Sequence, residues 1–285
     1  MKQFTLASLL LSCSLLSACG DPAREATAGN EPQGAIHKPL NIRRTLRIAA
    51  ADILGGGAGA AAGGVLGSII PGVGNATGAV VGAVVCGASA SVEAATLAGP
   101  VPTSSTSVNP ANPKNPFDNV GKQHNQALDY VVSIIGPGGC IPNPFPFPRE
   151  RLKPIVWEFA ATRMQAPKAL LDAPELSAAW SDALDFAAKG SQEEVDAVIQ
   201  QRVASGKLTA LEGQWLVRYF EAINPLETAR IVEVTKSFEQ KVIEDKTLST
   251  QEAINLLSAF STARYSTVYW TEQGALENSP WRACK

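Results

Sequence analysis

Between Asp52 and Glu93 the chain carries no charged side chain, and its glycines recur every fourth residue: Gly55, Gly59, Gly63 and Gly67, then Gly74, Gly78 and Gly82. Residues four apart share one face of an α-helix. Each set therefore lays down a smooth stripe against which a second backbone can rest. The run Ile69-Ile70-Pro71-Gly72-Val73 separates the two sets. Pro71 lacks an amide hydrogen and disfavours helix at Ile70, while Gly72 accepts positive φ. The spacing predicts a hairpin over 46–98 built of two helices of roughly 18–20 residues, each about long enough for a hydrocarbon core of ~30 Å. Gly and Ala are weakly hydrophobic, and an interior Gly costs a helix about 1 kcal/mol relative to Ala. Such helices need a partner, which can be the rest of the chain, a membrane or a second copy. A solvated linker would gain nothing from Val65, Leu66, Ile69, Ile70, Val80, Val81, Val84 and Val85.

What precedes the hairpin is a delivery segment. Met1-Lys2-Gln3 and the apolar run Phe4 to Leu16 form a secretory signal, too short to span a membrane as a helix. The signal ends Leu16-Ser17-Ala18-Cys19, which resembles a bacterial lipobox. That resemblance implies removal of 1–18, acylation of Cys19, and membrane lipid as a partner. Cys13, after Leu10-Leu11-Ser12, fits the same pattern but would truncate the apolar run. Enteric-type sorting retains lipoproteins at the inner membrane when Asp directly follows the Cys. Here Gly20 follows and Asp21 comes one later, so the outer membrane is the expected destination ahead of the inner. Residues 19–45 read as a polar tether, in which His37 is solvated. Arg43, Arg44 and Arg47 then bring positive charge to the start of the zipper, either as a solvated basic turn or against anionic lipid at roughly 1 kcal/mol each. The zipper itself resembles those of bacterial envelope proteins and of some membrane-active peptides.

Composition removes several classes of function. A net charge of −2 over 285 residues leaves no basic stripe for nucleic acid. Two histidines preclude a multi-histidine metal site, and no motif implies a cofactor. Export to an oxidising compartment leaves Cys86, Cys140 and Cys284 to account for. A Cys140–Cys284 disulfide is one candidate arrangement and three free thiols the other, since spacing does not fix whether the Cα atoms come within bridging distance.

Residues 99–117, dense in Pro, Ser, Thr and Asn, read as a linker, and 118–285 as a helical domain of about seven helices, so that the whole chain is expected to be all-α. Helices are expected near 119–135, 152–166, 173–189, 192–205, 209–223, 225–246 and 250–271. Capping-box spacing marks several starts: Asp172 with Glu175, Ser191 with Glu194, Thr209 with Glu212, Ser249 with Glu252, and Asn224-Pro225-Leu226-Glu227. Gly190 and Gly206 mark stops. Ile231, Val234, Phe238 and Val242 form one apolar stripe; Ala253, Leu256, Leu257, Phe260 and Ala263 form another.

The domain opens Asp118-Asn-Val-Gly121-Lys-Gln-His124-Asn125-Gln-Ala-Leu128-Asp129 and closes Ala263-Arg264-Tyr265-Ser266-Thr-Val-Tyr269-Trp270. These two segments resemble those of a group of uncharacterised, mostly bacterial proteins in which D-x-x-G-x-x-H-N-x-x-L begins a small helical domain and A-R-Y-S-x-x-Y-W ends it. The resemblance implies a fold and no activity. His124 shares a face with Leu128, Val131 and Ile135, the setting of a buried, hydrogen-bonded histidine. As a general base it would need Asp129 or Glu158 to orient it and Ser261 or Ser266 as nucleophile, and neither serine has a nucleophile-elbow glycine pattern. Arg264, beside the apolar stripe of the last helix, is expected to form a polar clasp with Asp129 or Glu158 or else to lay its stem on Tyr265. Tyr265, Tyr269 and Trp270 read as core and rim. Pro142-Asn-Pro-Phe-Pro-Phe-Pro148 is a stiff strip that covers the core or docks a partner. Taken together the chain reads as an envelope lipoprotein acting by membrane association or self-association. A bacteriocin-like membrane-active effector and a periplasmic hydrolase using His124 are the alternatives.

Overall fold

The computed structural model describes residues 40–97, 108–135, 148–187, 192–223, 226, 228–275 and 281, and every element within them is a helix. The all-α expectation holds. Helix α1 (Leu40–Ile69) and α2 (Asn75–Leu97) form the hairpin, at 30 and 23 residues. α1 begins inside the segment expected as tether, so Arg43, Arg44 and Arg47 belong to its first turns. The chain reverses at Pro71, where the Val73 amide donates to the Ile70 carbonyl at 3.2 Å and Gly72 adopts φ +81°. Gly74, expected within the second helix, instead stands just before it at φ +77°.

The glycine stripes meet each other. A Cβ on Gly59 would lie 2.0 Å from the Gly82 carbonyl oxygen, one on Gly63 2.0 Å from that of Gly78, and one on Gly67 2.3 Å from that of Gly74. Each step of four along α1 is thus matched by a step of four back along α2. One further step brings Gly55 to Cys86, whose carbonyl would stand 3.1 Å from an added Cβ. Here the stripe passes from glycine to a buried thiol.

Zipper and helical domain fall together in one compact unit, Lys38–Lys285. Its remaining helices are α3 (Asp118–Ile135), α4 (Arg149–Arg163), α5 (Lys168–Leu171), α6 (Pro174–Ala187), α7 (Gln192–Ala204), α8 (Ala210–Ile223), α9 (Thr228–Glu244) and α10 (Thr250–Ala275). Helix α1 lies against α2, α10 and α6, and α2 in turn against α6, α3, α10 and α4. The physical reason is burial. Ile53, Leu54, Ala60, Val81, Val84 and Val85 are all at most 2% exposed, which removes from water the apolar surface that the glycine contacts alone leave open. One apolar cluster joins α2 to α3, α4 and α6. A second joins Ile53 and Leu54 of α1 to α8, α9 and α10 through Tyr219, Phe238 and Phe260. The Tyr219 and Phe260 rings lie 4.7 Å apart, and the Tyr219 hydroxyl donates to Thr235 Oγ1 at 2.7 Å.

Local signals place most ends. The Thr209 amide donates to Glu212 Oε2 at 2.8 Å and the Ser249 amide to Glu252 Oε2 at 2.7 Å, closing two of the expected capping boxes. Gly206 ends α7 at φ +72°. The expected helix at 152–166 instead starts at Arg149 and tolerates Pro154 within it, and the short α5 follows Pro167 where no helix is expected. Ser191, Asn224, Pro225, Glu227 and Gly190 lie outside the described residues. So do Cys13, Cys19, His37, Cys140, Cys284 and the strip from Pro142 to Phe147.

Candidate functional site

The opening and closing segments of the helical domain lie directly on each other. Gly121, Asn125 and Asp129 of α3 each meet the residue 140 positions on in α10: the Gly121 amide donates to Ser261 Oγ at 3.0 Å, Asn125 Nδ2 to the Tyr265 carbonyl at 3.1 Å, and the Tyr269 hydroxyl to Asp129 Oδ1 at 3.0 Å. A constant offset in steps of four means that the two helices run parallel, one turn against one turn. Gly121 is required by this approach, because a Cβ there would stand 2.3 Å from the Ser261 carbonyl oxygen.

At one end of the seam Arg264, fully buried, donates through Nη2 to Asp118 Oδ1 at 2.7 Å and to Glu239 Oε1 at 2.8 Å. The expected clasp partners are therefore corrected. Asp129 is taken by Tyr269, one turn too far along, and Glu158 is exposed on α4. Tyr265 donates to Asp118 Oδ2 at 3.0 Å; burial, then that bonded carboxylate, push its hydroxyl up to about 12.

Glu239 receives more help from a segment expected to be linker. Asn109-Pro-Ala-Asn112-Pro-Lys-Asn115-Pro116 places Asn before Pro at every third position. Each Asn side chain accepts an amide two residues on: Ala111 onto Asn109 at 2.9 Å, Lys114 onto Asn112 at 3.3 Å and Phe117 onto Asn115 at 2.7 Å. These turns free the amide groups of Asn112 and Asn115 to donate to the two Glu239 carboxylate oxygens at 2.6 and 2.7 Å. A buried carboxylate is thereby held by three charged or polar donors.

At the centre of the seam is Asp52, the last charge before the zipper and 0% exposed. Ser266 donates to its Oδ2, and its Oδ1 faces His124 Nε2 at 3.4 Å. Asn125 presents its oxygen to His124 Nδ1 at 3.0 Å, having committed its amide nitrogen to Tyr265, so the Nδ1 proton is on the ring. Among the described residues neither of these two buried atoms makes a hydrogen bond, so they face each other at ion-pair range. Ser91 of α2 completes the group, accepting from the buried Trp270 Nε1 at 2.8 Å. The hairpin thus enters the seam through one residue of each of its helices, and both motif segments supply the partners.

Two other polar links tie the hairpin down. Arg202 of α7, nearly buried, donates to the Leu54 carbonyl at 2.7 Å, and burial lowers its pKa. Arg149 reaches Glu93 at 3.5 Å and also pairs with Asp185; burial raises the Glu93 pKa against the lowering influence of that guanidinium. Cys86 is buried among small residues and its thiol is pushed up to about 12 by desolvation.

The order of groups decides what this site can do. A nucleophile–base pair needs the serine on the histidine. Here the carboxylate stands between Ser266 and His124, and Ser261 is occupied with the Asp118 carbonyl and the Gly121 amide. Neither described cavity reaches the group: a groove of about 620 Å³ lies between α7 and α8, and one of about 340 Å³ between the turn end of α2 and α3. The geometry expected for a base oriented by Asp129 or Glu158 is not formed, and the arrangement is a clasp. Asp52, Ser91, Glu239, Asn112 and Asn115 are the members that sequence reasoning missed. A lone carboxylate between Ala49-Ala50-Ala51 and Ile53-Leu54, and a Glu one turn from Thr235 on an apolar helix, were the available signals. Comparison with protein-family models, curated proteins and solved structures found no match for this chain.

Proposed function

We propose that this chain is a lipid-anchored protein of the bacterial cell envelope, outer membrane ahead of inner, that acts by association at a membrane and not by turning over a substrate. The observation that carries the reading is the state of the hairpin. Its length is sheathed by α3, α6 and α10, and its turn end is uncovered and apolar, with Val65 56% and Ile69 69% exposed and Pro71 exposed between them and Asn75. The glycine stripes are spent on each other, which argues against self-association through them and leaves the acylated Cys19 as the anchor. Sheathing also makes the resting body a water-compatible one.

The test is Cys19→Ala with the signal retained, scored by fatty-acid labelling and by fractionation with an alkaline wash. The wild-type chain is expected to carry label and remain with the membranes, and the variant to lose both while keeping its helicity. A wild-type chain that carries no label and stays soluble refutes the reading. A processed, unlabelled variant that resists the wash refutes the acylated Cys19 as the sole anchor.

A further inference from the structure

We propose that the hairpin is an insertion element that enters a bilayer turn-first, leaving its sheath while its opposite end stays at the surface. The inference rests on the membrane reading above and deepens it.

Charge is distributed along the hairpin in one direction only. Arg47, Asp52 and Glu93 are all at the end remote from the turn, and the residues from 53 to 92 carry no charge. The segments 53–69 and 75–92 are each about 26 Å long at 1.5 Å per residue, close to a hydrocarbon core of ~30 Å. Driven in by its turn, the hairpin would cross the core and stop with Asp52 and Glu93 at the near surface. Entry from the other end would drag both carboxylates through it.

The contacts holding the hairpin are distributed the same way. Polar side-chain contacts from the rest of the unit gather at the charged end: Ser266 bonded to Asp52 with His124 facing it, Trp270 on Ser91, Arg202 on the Leu54 carbonyl, Arg149 on Glu93. Beyond Leu54 the sheath makes apolar and packing contacts, Gly57 against Ala259, Gly64 against Gln251, and Leu66, Val73 and Val81 in the apolar core. Among the described residues one side-chain bond from the rest of the unit reaches the turn end, Asn75 Nδ2 to Gln251 Oε1 at 3.4 Å. The hairpin beyond Leu54 and before Ser91 can part from α10 at little cost in hydrogen bonds while Asp52 and Glu93 remain clasped.

The paired helices also suit hydrocarbon. Their glycine contacts travel with them, and Ser89 satisfies its hydroxyl on the Val85 carbonyl at 2.8 Å within its own helix. What the sheath uncovers is Leu66, Val81, Val84 and Val85, which lipid can cover instead.

The experiment uses the acylated full chain in vesicles of mixed phosphatidylethanolamine and phosphatidylglycerol, with Cys140 and Cys284 replaced by serine. An added Cβ on Gly57 lies 3.6 Å from the Ala259 Cβ, within disulfide range. Gly57→Cys with Ala259→Cys therefore locks α1 to α10 when oxidised. An environment-sensitive dye is attached at exposed Ile69→Cys before the lock is reduced. With the lock closed the dye should stay in water. On reduction it should enter hydrocarbon and be quenched by a quencher confined to the far leaflet. A dye that is buried equally with the lock closed, or that stays in water with it open while the chain floats with the vesicles, overturns the proposal and leaves the turn as a surface for protein. A chain that does not float overturns the membrane reading as well.

Val65→Asp provides a second test that leaves the core untouched. It should slow dye entry about a hundredfold, because the carboxylate must cross the hydrocarbon, with flotation and helicity unchanged. Entry at the wild-type rate overturns turn-first insertion.

Discussion

Gly57 and Gly59 are two residues apart on α1, and replacing each by Ala should move stability in opposite directions. At Gly59 the new Cβ would lie 2.0 Å from the Gly82 carbonyl oxygen and 2.8 Å from the Cys86 Cβ, whereas ordinary contact begins at 3.4 Å. The obstacle is backbone, which cannot rotate aside as a side chain does, so α1 and α2 must separate along their length. Overpacking that side chains can absorb costs about 1–3 kcal/mol, and the upper end applies here. The helix-propensity gain of about 1 kcal/mol for Gly→Ala offsets part of it. Gly59→Ala should therefore lose about 2 kcal/mol. At Gly57 the new Cβ would sit 3.6 Å from that of Ala259, an ordinary contact. Gly57→Ala should keep most of its gain of about 1 kcal/mol. Urea unfolding of the Cys19→Ala chain, followed by far-UV circular dichroism, reads the gap of roughly 3 kcal/mol between the two variants. Equal midpoints would refute the intramolecular zipper, because they would mean that Gly59 faces no backbone in the folded chain.

Arg264→Met leaves Glu239 buried without its charge partner and should cost about 3–5 kcal/mol in the same assay, while adding Glu239→Gln should recover part of the loss; strict additivity of the two changes would contradict the pairing. Glu93 has its pKa raised by burial, so the folded state holds its proton to higher pH than the unfolded chain does. Its contribution to stability is full below the ordinary carboxylate value and is lost as pH rises through the raised one. Glu93→Gln should flatten this fall in a pH series of urea midpoints, and an unchanged slope would dismiss the assignment. Cys86, buried and with its thiol pushed up to about 12, should resist alkylation in the folded chain and react on unfolding, as read by peptide mass spectrometry. Rapid labelling under native conditions would show that the hairpin is not sheathed.

Much of the helical order was legible because it is local. Thr209 and Glu212 sit three apart and close their box within one turn, so no knowledge of the rest of the chain is needed to read them. The glycine spacing likewise announced which faces of α1 and α2 would meet. It did not announce what would cover the outer faces, because Val and Ala satisfy lipid and protein interior alike. His124 was readable as buried, but its partner was not: Asp52 lies in a different helix, and Asp129, close in sequence, offered a plausible decoy. The Asn-Pro repeat misled in the opposite sense. Its composition is that of an extended linker, yet its asparagines form successive Asx turns, and the amides of Asn112 and Asn115 are captured by Glu239, a contact 127 positions away for Asn112.

The polar seam answers a question that the zipper raises. Two stripes with glycine at every fourth residue contact well in one register and nearly as well after a slip of four, which would set Gly59 against Gly78 and Gly63 against Gly74. Apolar burial hardly distinguishes these states, since the side chains involved are glycine, alanine and valine. The turn at Pro71 opposes a slip locally, and the seam opposes it at the far end. Asp52 must meet Ser266 and His124 while Ser91 meets Trp270, one residue from each helix of the hairpin on neighbouring turns of α10. A slip of four moves one of them by about 6 Å, leaving a carboxylate or an indole nitrogen buried without its partner. Groups that add little to stability when paired and cost several kcal/mol when separated are suited to fixing a register. On that argument Ser91 and Asp52 belong to one device, and Ser91→Ala, which removes only a hydroxyl, should loosen the hairpin more than its size suggests.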